Sequence, residues 1–263
     1  MKDKVTIHDV ARAAGVSAAT VSYVINERED QSISQETKQK IWHIVNLLNY
    51  KPSVFAKNLR AAPHSKLIAV CTEKLNPLAR SEYLYVLENL AAAFPQDYGL
   101  LFNTLPKGRL ENADAIVAFD VSKETFHEIG NKNFIPLVAV DCLVNDALFF
   151  QITTDYAAIK READEKFGED YTFVCINPVD NALRNEIESV FRHVCFVENY
   201  DDLCCVKASK IVAVHEVVAG FFRMRKTEAL FAKNVYATKC EQTARCIEQA
   251  LSHEPFDIHS YKV

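Results

Sequence analysis

The sequence predicts a small all-α N-terminal domain followed by a larger α/β body with a mostly parallel sheet. Three observations carry this prediction. Apolar residues in the first fifty positions repeat at helical spacing, whereas from residue 66 onward short apolar runs alternate with helix-like stretches. The chain has 263 residues, of which 49% are hydrophobic and 25% charged, so it is long enough and apolar enough to bury a sizeable core.

The first fifty residues predict three amphipathic helices. The first covers residues 6–14, with Thr6 as its N-cap and Gly15 at its end, and the third follows Ser34 and runs to Asn49. Both repeat apolar residues at i, i+3, i+4 and i+7: Ile7, Val10, Ala11 and Ala14 in the first helix, and Ile41, Ile44, Val45 and Leu48 in the third. Three such helices can share one small core.

The second helix, residues 18–26, has two different faces when it is plotted at 100° per residue. One face is largely apolar, and the other holds the small and polar residues Ala18, Ala19, Ser22, Tyr23 and Asn26. Small side chains let a helix approach base edges closely, hydroxyls such as those of Ser17 and Thr20 can donate to phosphates, and longer side chains reach further. With the first helix and the turn at Gly15, this pattern predicts a helix-turn-helix; a helical cap on the body is the alternative.

Charge is unevenly distributed along the chain, whose net charge is −5. Residues 1–62 have nine Lys and Arg against six Asp and Glu, net +3, and residues 63–263 have a net charge of −8. A basic module is attracted to phosphate, so the N-terminal domain is compatible with nucleic-acid binding. No apolar run reaches the ~18 residues of a membrane span, and no signal segment is present, so we expect a cytoplasmic protein with no membrane partner and with reduced cysteines.

The segment 51–65 separates the helical domain, residues 1–50, from the body, residues 66–263. Pro52 favours the first turn of a short helix over residues 54–60, and residues 62–65 have the composition of a linker. In the body, strands are predicted at residues 67–72, 100–105, 115–119, 137–142, 149–154, 172–176, 194–197, 211–215 and 235–239. Helices are predicted at residues 80–94, 156–167, 181–191, 217–232 and 240–252.

Two stretches, VTIHDVARAAGVSAATVSYVIN (5–26) and LLNYKPSVFAKNLR (47–60), closely resemble the DNA-binding headpiece and hinge of the LacI/GalR family of bacterial transcription regulators. The resemblance implies a homodimer whose second helices enter successive major grooves of a pseudo-palindromic double-stranded operator. It also implies a hinge that folds on binding and wedges Leu59 into the minor groove, although an ordinary core leucine is the alternative. The residues expected to contact DNA are Thr6, Ser17, Ala18, Ala19, Thr20, Ser22, Tyr23, Asn26, Ala56, Lys57 and Leu59.

The body resembles the effector domain of the same family, a periplasmic-binding-protein-like α/β body with two lobes of mostly parallel sheet. The similar pieces include residues 113–120, 135–142 and 209–222. By this resemblance Asp155, Arg184 and Glu216 are candidates to bind a small effector of the sugar or nucleoside class, or else to form surface ion pairs. The body is short for the family and lacks its usual glycines after positions 155 and 184, so we expect the effector response to be weak or altered.

Other chemistry finds no support in the sequence. No glycine-rich phosphate loop or nucleophile elbow is present, and Ala219 stands where a zincin helix that starts at His215-Glu216 needs its second histidine. We therefore predict no catalytic residue, no metal and no cofactor. Two functions stay open: a sequence-specific DNA-binding transcription regulator, taken here as a repressor, and a solute-binding module of periplasmic type whose N-terminal helices serve assembly.

Overall fold

A computed structural model describes residues 5–25, 33–48, 66–73, 76–104, 108, 110, 113–232, 234–252 and 256–263. The chain divides into two units, residues 1–65 and residues 66–263. The helices are α1 Ile7–Ala14, α2 Ala18–Ile25, α3 Gln35–Leu47, α4 Pro77–Ala93, α5 Lys123–Lys132, α6 Tyr156–Phe167, α7 Asn181–Val190, α8 Tyr200–Cys205, α9 Glu216–Met224 and α10 Val235–Leu251. The strands are β1 Leu67–Thr72, β2 Gly99–Thr104, β3 Ala115–Phe119, β4 Leu137–Val140, β5 Phe150–Thr153, β6 Thr172–Ile176, β7 Val194–Val197, β8 Lys210–Ala213, β9 Glu228–Phe231 and β10 Ser260–Lys262.

The N-terminal unit packs its three predicted helices around one small core. The fully buried side chains Val10, Val21 and Ile41 come one from each helix. The end of α1 is at Gly15, whose φ of 68° lies in the left-handed region that glycine adopts without strain. The helical spacing read from the sequence is therefore the spacing that builds this core.

The body has two lobes, each with an all-parallel sheet. The sheet of the first lobe has the strand order β10-β5-β4-β3-β1-β2, and the sheet of the second lobe has the order β7-β6-β8-β9. Strands covered on both faces should be apolar throughout, and β1, β3 and β4 are buried at every position. The chain enters the second lobe after β5 and returns to the first lobe after β9, so α10 and β10 belong to the first lobe. The α/β fold with parallel sheets in two lobes is confirmed.

Two predicted elements of the body are wrong. Residues 235–239 form the first turn and a half of α10 rather than a strand, because Tyr236, Cys240, Thr243 and Ile247 continue a buried face at helical spacing. Residues 228–231 form strand β9 rather than the end of a helix: the chain turns at Lys226, where φ is 55°, and β9 then pairs with β8. In both places the tertiary partner, not the local residue preference, decides the conformation.

None of the described helices is long and apolar enough to cross a membrane. All eight cysteines are free, and five of them are buried. Cys204 and Cys205, at the end of α8, are exposed.

Candidate DNA-binding surface and inter-lobe cleft

Helix α2 keeps the two faces expected from its sequence. Val21, Val24 and Ile25 are buried in the core of the N-terminal unit, and Ala19 is exposed. Ala18, Thr20, Ser22 and Tyr23 are half-buried, and Ala18 packs against the edge of that core. The exposed edge of α2 therefore carries small side chains and hydroxyls, which suits close approach to another surface.

The hydroxyls of Ser17 and Thr20, at the start of α2, hydrogen-bond to each other, and that of Ser17 also caps the helix. The Thr20 N–H donates to Ser17 Oγ at 3.0 Å, and the two hydroxyl oxygens lie 2.8 Å apart. Ser17 thus acts as the N-cap of α2 and is itself exposed. In this position the Ser17 hydroxyl can accept the free N–H at the helix terminus and can also face an incoming phosphate.

Thr6 has a similar structural role at α1. Its hydroxyl donates to Asp9 Oδ2 at 2.6 Å and its backbone N–H donates to the same oxygen at 2.9 Å. These hydrogen bonds are the main reason that the pKa of Asp9 lies below its usual value. The exposed guanidinium of Arg12 lies 3.6 Å from Asp9 and is a further cation on this unit. The expected contacts of Asn26, Ala56, Lys57 and Leu59 fall outside the described residues.

A cavity lies between the two lobes of the body, at the carboxyl ends of their parallel strands. Ligands of open α/β sheets bind at this end of the strands. The cavity has a volume of about 40 Å³. Its polar lining residues are Glu82, Asp120, Asp141, Thr154, Tyr156, His215, Tyr236 and Lys239.

Charged groups in the cleft are paired or hydrogen-bonded within the chain. Lys239 Nζ donates to both carboxylate oxygens of Asp141, at 2.8 and 2.7 Å. Burial, with the nearby Asp141, raises the pKa of Asp120 to about 7, although the Val179 N–H that it accepts works in the opposite direction. Burial, with the nearby Lys239, lowers the pKa of His215 to about 3, so its imidazole is neutral at physiological pH. Glu82 also has a pKa raised by burial.

Among the described residues that line this cavity, none is one of the three predicted effector residues, Asp155, Arg184 and Glu216. Asp155 is the N-cap of α6 and accepts the Ala158 N–H at 2.9 Å. Arg184 donates to Asn177 Oδ1 at 3.0 Å and stacks over the Phe196 ring. Each of the three nevertheless stands next in sequence to a lining residue.

Glu216 has a local partner as well, because its carboxylate pairs with Arg223 at 3.2 Å. Sequence reasoning missed the residues that do line the cleft. Asp120 directly follows the predicted strand 115–119, and Asp141 lies near the end of the predicted strand 137–142. This position at the carboxyl ends of adjacent parallel strands was the signal that could have found them. Lys239 was missed because residues 235–239 were predicted to be a strand, whereas they begin α10.

The match to a family model lies in the N-terminal unit. Residues 6–53 match the model "Bacterial regulatory proteins, lacI family". This stretch contains α1, α2 and α3, and hence the whole surface described above for α2.

Two curated relatives extend the similarity beyond this unit. The chain is 28% identical over 177 residues to catabolite control protein A of Staphylococcus aureus (strain MRSA252), which is 63% of this chain and 52% of that protein. It is also 28% identical over 174 residues to the probable HTH-type transcriptional repressor ExuR of Bacillus subtilis (strain 168), 62% of this chain and 51% of that protein. The chain thus spans about half the length of these relatives.

Solved structures share the fold. A LacI family transcription regulator from Clostridium acetobutylicum has a TM-score of 0.52 at 13% identity and covers 75% of this chain and 96% of that chain. A Lac repressor dimer bound to operator has a TM-score of 0.50 at 13% identity and covers 99% of this chain and 96% of that chain. The family model thus matches the three helices of the N-terminal unit, and the solved LacI family structures share the fold of the chain.

Proposed function

We propose that this chain is a transcription regulator, acting as a repressor, that binds a pseudo-palindromic DNA operator as a homodimer. One observation carries the proposal: α2 buries an apolar face in a three-helix core and leaves a face of small and hydroxyl side chains, within the stretch that matches the family model. The proposal implies a location at the nucleoid in the bacterial cytoplasm.

In this proposal α2 lies in the major groove, where some of its residues approach the bases and others contact phosphates. The short side chains of Ala18 and Ala19 let the helix approach the bases, and Tyr23 reaches a base edge. Ser17, Thr20 and Ser22 contact phosphates, which position the helix without reading sequence. Thr6 and Asn26 complete the headpiece contacts. Ala56, Lys57 and Leu59 act in the minor groove at the centre of the operator, where an apolar wedge kinks the duplex.

The test is selection of bound sequences from random duplex DNA, followed by titration of the enriched site. We expect an inverted repeat, which supports the dimer, and a salt-dependent affinity. Tyr23→Ala should lower the affinity for the selected site by ~1 to 3 kcal/mol while changing random DNA little. Ser17→Ala should weaken binding to both kinds of DNA alike.

Phe134→Ala is the matched control for Tyr23→Ala, since it removes an aromatic side chain that is 86% exposed on the body. It should leave both affinities unchanged. Equal loss on selected and random DNA for Tyr23→Ala would remove that side chain from base readout. Failure of the selection to enrich any sequence would contradict the regulator and favour the solute-binding module.

The small sugar or nucleoside effector stays a separate prediction. Asp155, Arg184 and Glu216 each have a local structural partner, and none contributes to the cavity lining in the described part of the chain. A panel of sugars, sugar phosphates and nucleosides, screened by thermal shift and then by operator titration, tests it. A compound that changes operator affinity tenfold, about 1.4 kcal/mol of coupling, and loses that effect in Arg184→Ala would support these residues as the effector site.

A further inference from the structure

We propose that the two lobes of the body are locked together by the chain's own side chains, so that the cleft does not act as a ligand gate. Its consequence for DNA, that operator binding needs no small molecule, rests on the proposed function. The lock itself does not. Three sets of contacts between the lobes carry it, and a lysine that pairs with a carboxylate inside the cleft adds to them.

The first contact joins α4 of the first lobe to α9 of the second lobe. The Glu82 carboxylate accepts the N–H of Glu216 through Oε1 and the N–H of Val217 through Oε2, both at 2.8 Å. It also hydrogen-bonds the Tyr236 hydroxyl. The N-terminus of a helix is the natural place for an anion. Here the anion is a buried side chain of the opposite lobe.

Two further carboxylates cross the cleft in opposite directions. Asp120, directly after β3 in the first lobe, accepts the Val179 N–H from the second lobe at 2.9 Å. Asp180, the N-cap of α7 in the second lobe, accepts the Leu143 N–H from the first lobe at 2.5 Å. Both hydrogen bonds lie at the carboxyl ends of the strands, where the lobes would have to separate to admit a ligand. Opening would leave these backbone N–H groups and carboxylates to be hydrated again.

Apolar side chains of the first lobe also pack into both faces of the second sheet. Leu78 and Ala79, in the first turn of α4, are buried in a cluster with Val174 of β6 and Phe222 of α9. On the opposite face, Leu143 packs against the cluster that contains Phe173. A cleft that opens and closes should be hydrated on its inner surface, whereas separation of these lobes exposes apolar surface on both sides of a sheet.

The remaining space of the cleft is taken by a side chain of α10. Lys239 neutralises Asp141 through both oxygens and is 4% exposed; both residues belong to the first lobe, so this carboxylate is paired without any contribution from a ligand or from the second lobe. A cavity of about 40 Å³ remains, against the roughly 300 to 1,000 Å³ of pockets that hold small-molecule ligands. Lys239 thus acts as a built-in ligand of the cleft.

Hydrogen exchange followed by mass spectrometry tests the lock on the full chain without DNA. The four donors, the amides of Leu143, Val179, Glu216 and Val217, report directly on separation of the lobes. In the unaltered protein we expect these amides to exchange as slowly as those of β6. Glu82→Ala should raise exchange at Leu143 and Val179 tenfold or more, although neither amide bonds to Glu82, because one contact of a common lock has been removed.

Asp202→Ala is the matched control. Asp202 also accepts two backbone N–H groups, those of Glu198 at 2.8 Å and Asn199 at 3.2 Å, but all three residues lie in the second lobe. This variant should raise exchange only near α8. If Glu82→Ala fails to fold, Glu82→Gln, which keeps one acceptor oxygen, should give a smaller increase at the same amides.

Three results would overturn the lock. The first is fast exchange of Leu143 and Val179 in the unaltered protein, and the second is no change at these amides in either Glu82 variant. The third is a compound from the sugar and nucleoside panel that slows their exchange tenfold. Failure of the protein to bind any operator would refute the proposed function and leave these exchange results, and therefore the lock, unaffected.

Discussion

Removing Lys239 should destabilise the body strongly, because its partner is a buried carboxylate. The ammonium lies 2.8 and 2.7 Å from the two oxygens of Asp141, and the side chains of Lys239 and Asp141 are 4% and 14% exposed. Loss of one member of a buried ion pair leaves the other without compensation for its lost hydration, which costs about 3 to 5 kcal/mol. The residual exposure of Asp141 allows some hydration, so we expect the lower end of this range for Lys239→Ala.

A loss of about 3 kcal/mol corresponds to a fall in Tm of about 6 to 12 °C for a unit of this size. Thermal and urea unfolding, followed by far-ultraviolet circular dichroism at neutral pH, measure it. The control is Glu169→Ala, which breaks the Arg192–Glu169 pair at 2.9 Å, whose side chains are 69% and 76% exposed. Exposed pairs contribute ~0 to 1 kcal/mol, so this variant should unfold almost as the unaltered protein does.

A double substitution separates charge from packing. Asp141 has a φ of 53°, a left-handed conformation that asparagine adopts readily, so Asp141→Asn adds little strain. Combined with Lys239→Met, it replaces two buried charges by neutral groups of similar length, and we expect most of the lost stability to return. Two results would contradict this prediction: a Tm of Lys239→Ala that falls no further than the Tm of Glu169→Ala, or a double variant that is as unstable as Lys239→Ala alone.

Two other predictions concern single carboxyl and leucine side chains. The pKa of Asp120 is raised to about 7 by burial, so the folded state binds more protons than the unfolded state between about pH 4 and 7. Asp120→Asn should therefore be more stable than the unaltered protein at pH 8, by at least about 1.4 kcal/mol, and this advantage should shrink as the pH falls below 7; a pH-independent difference in Tm would contradict it. Leu59→Ala should reduce operator affinity and DNA bending with no change of Tm in the absence of DNA, whereas a large fall in Tm would make Leu59 a core residue.

The sequence predicted the N-terminal unit more closely than the body. Its helices are short and amphipathic, so the helical spacing of apolar residues within each one was enough to indicate the helices. The same spacing indicated their core, to which Val10, Val21 and Ile41 contribute one residue each. The strands of the body were found almost as well, because a strand buried on both faces must be apolar throughout. The errors arose because EALFA (228–232) favours a helix and VYATK (235–239) favours a strand by local preference, whereas contacts distant in sequence impose the opposite conformation in each place.

By itself, the sequence determined the helix-turn-helix and the two faces of α2, since a periodic pattern within a few turns dictates which side chains are buried. Only the tertiary structure decided what occupies the cleft. Lys239 and Asp141 are 98 positions apart, and Glu82 and Val217 are 135 positions apart, with no shared pattern that relates them. They meet because two parallel sheets direct their carboxyl ends toward one cleft and because α10 returns to the first lobe, which is a property of chain topology and not of local residue preference.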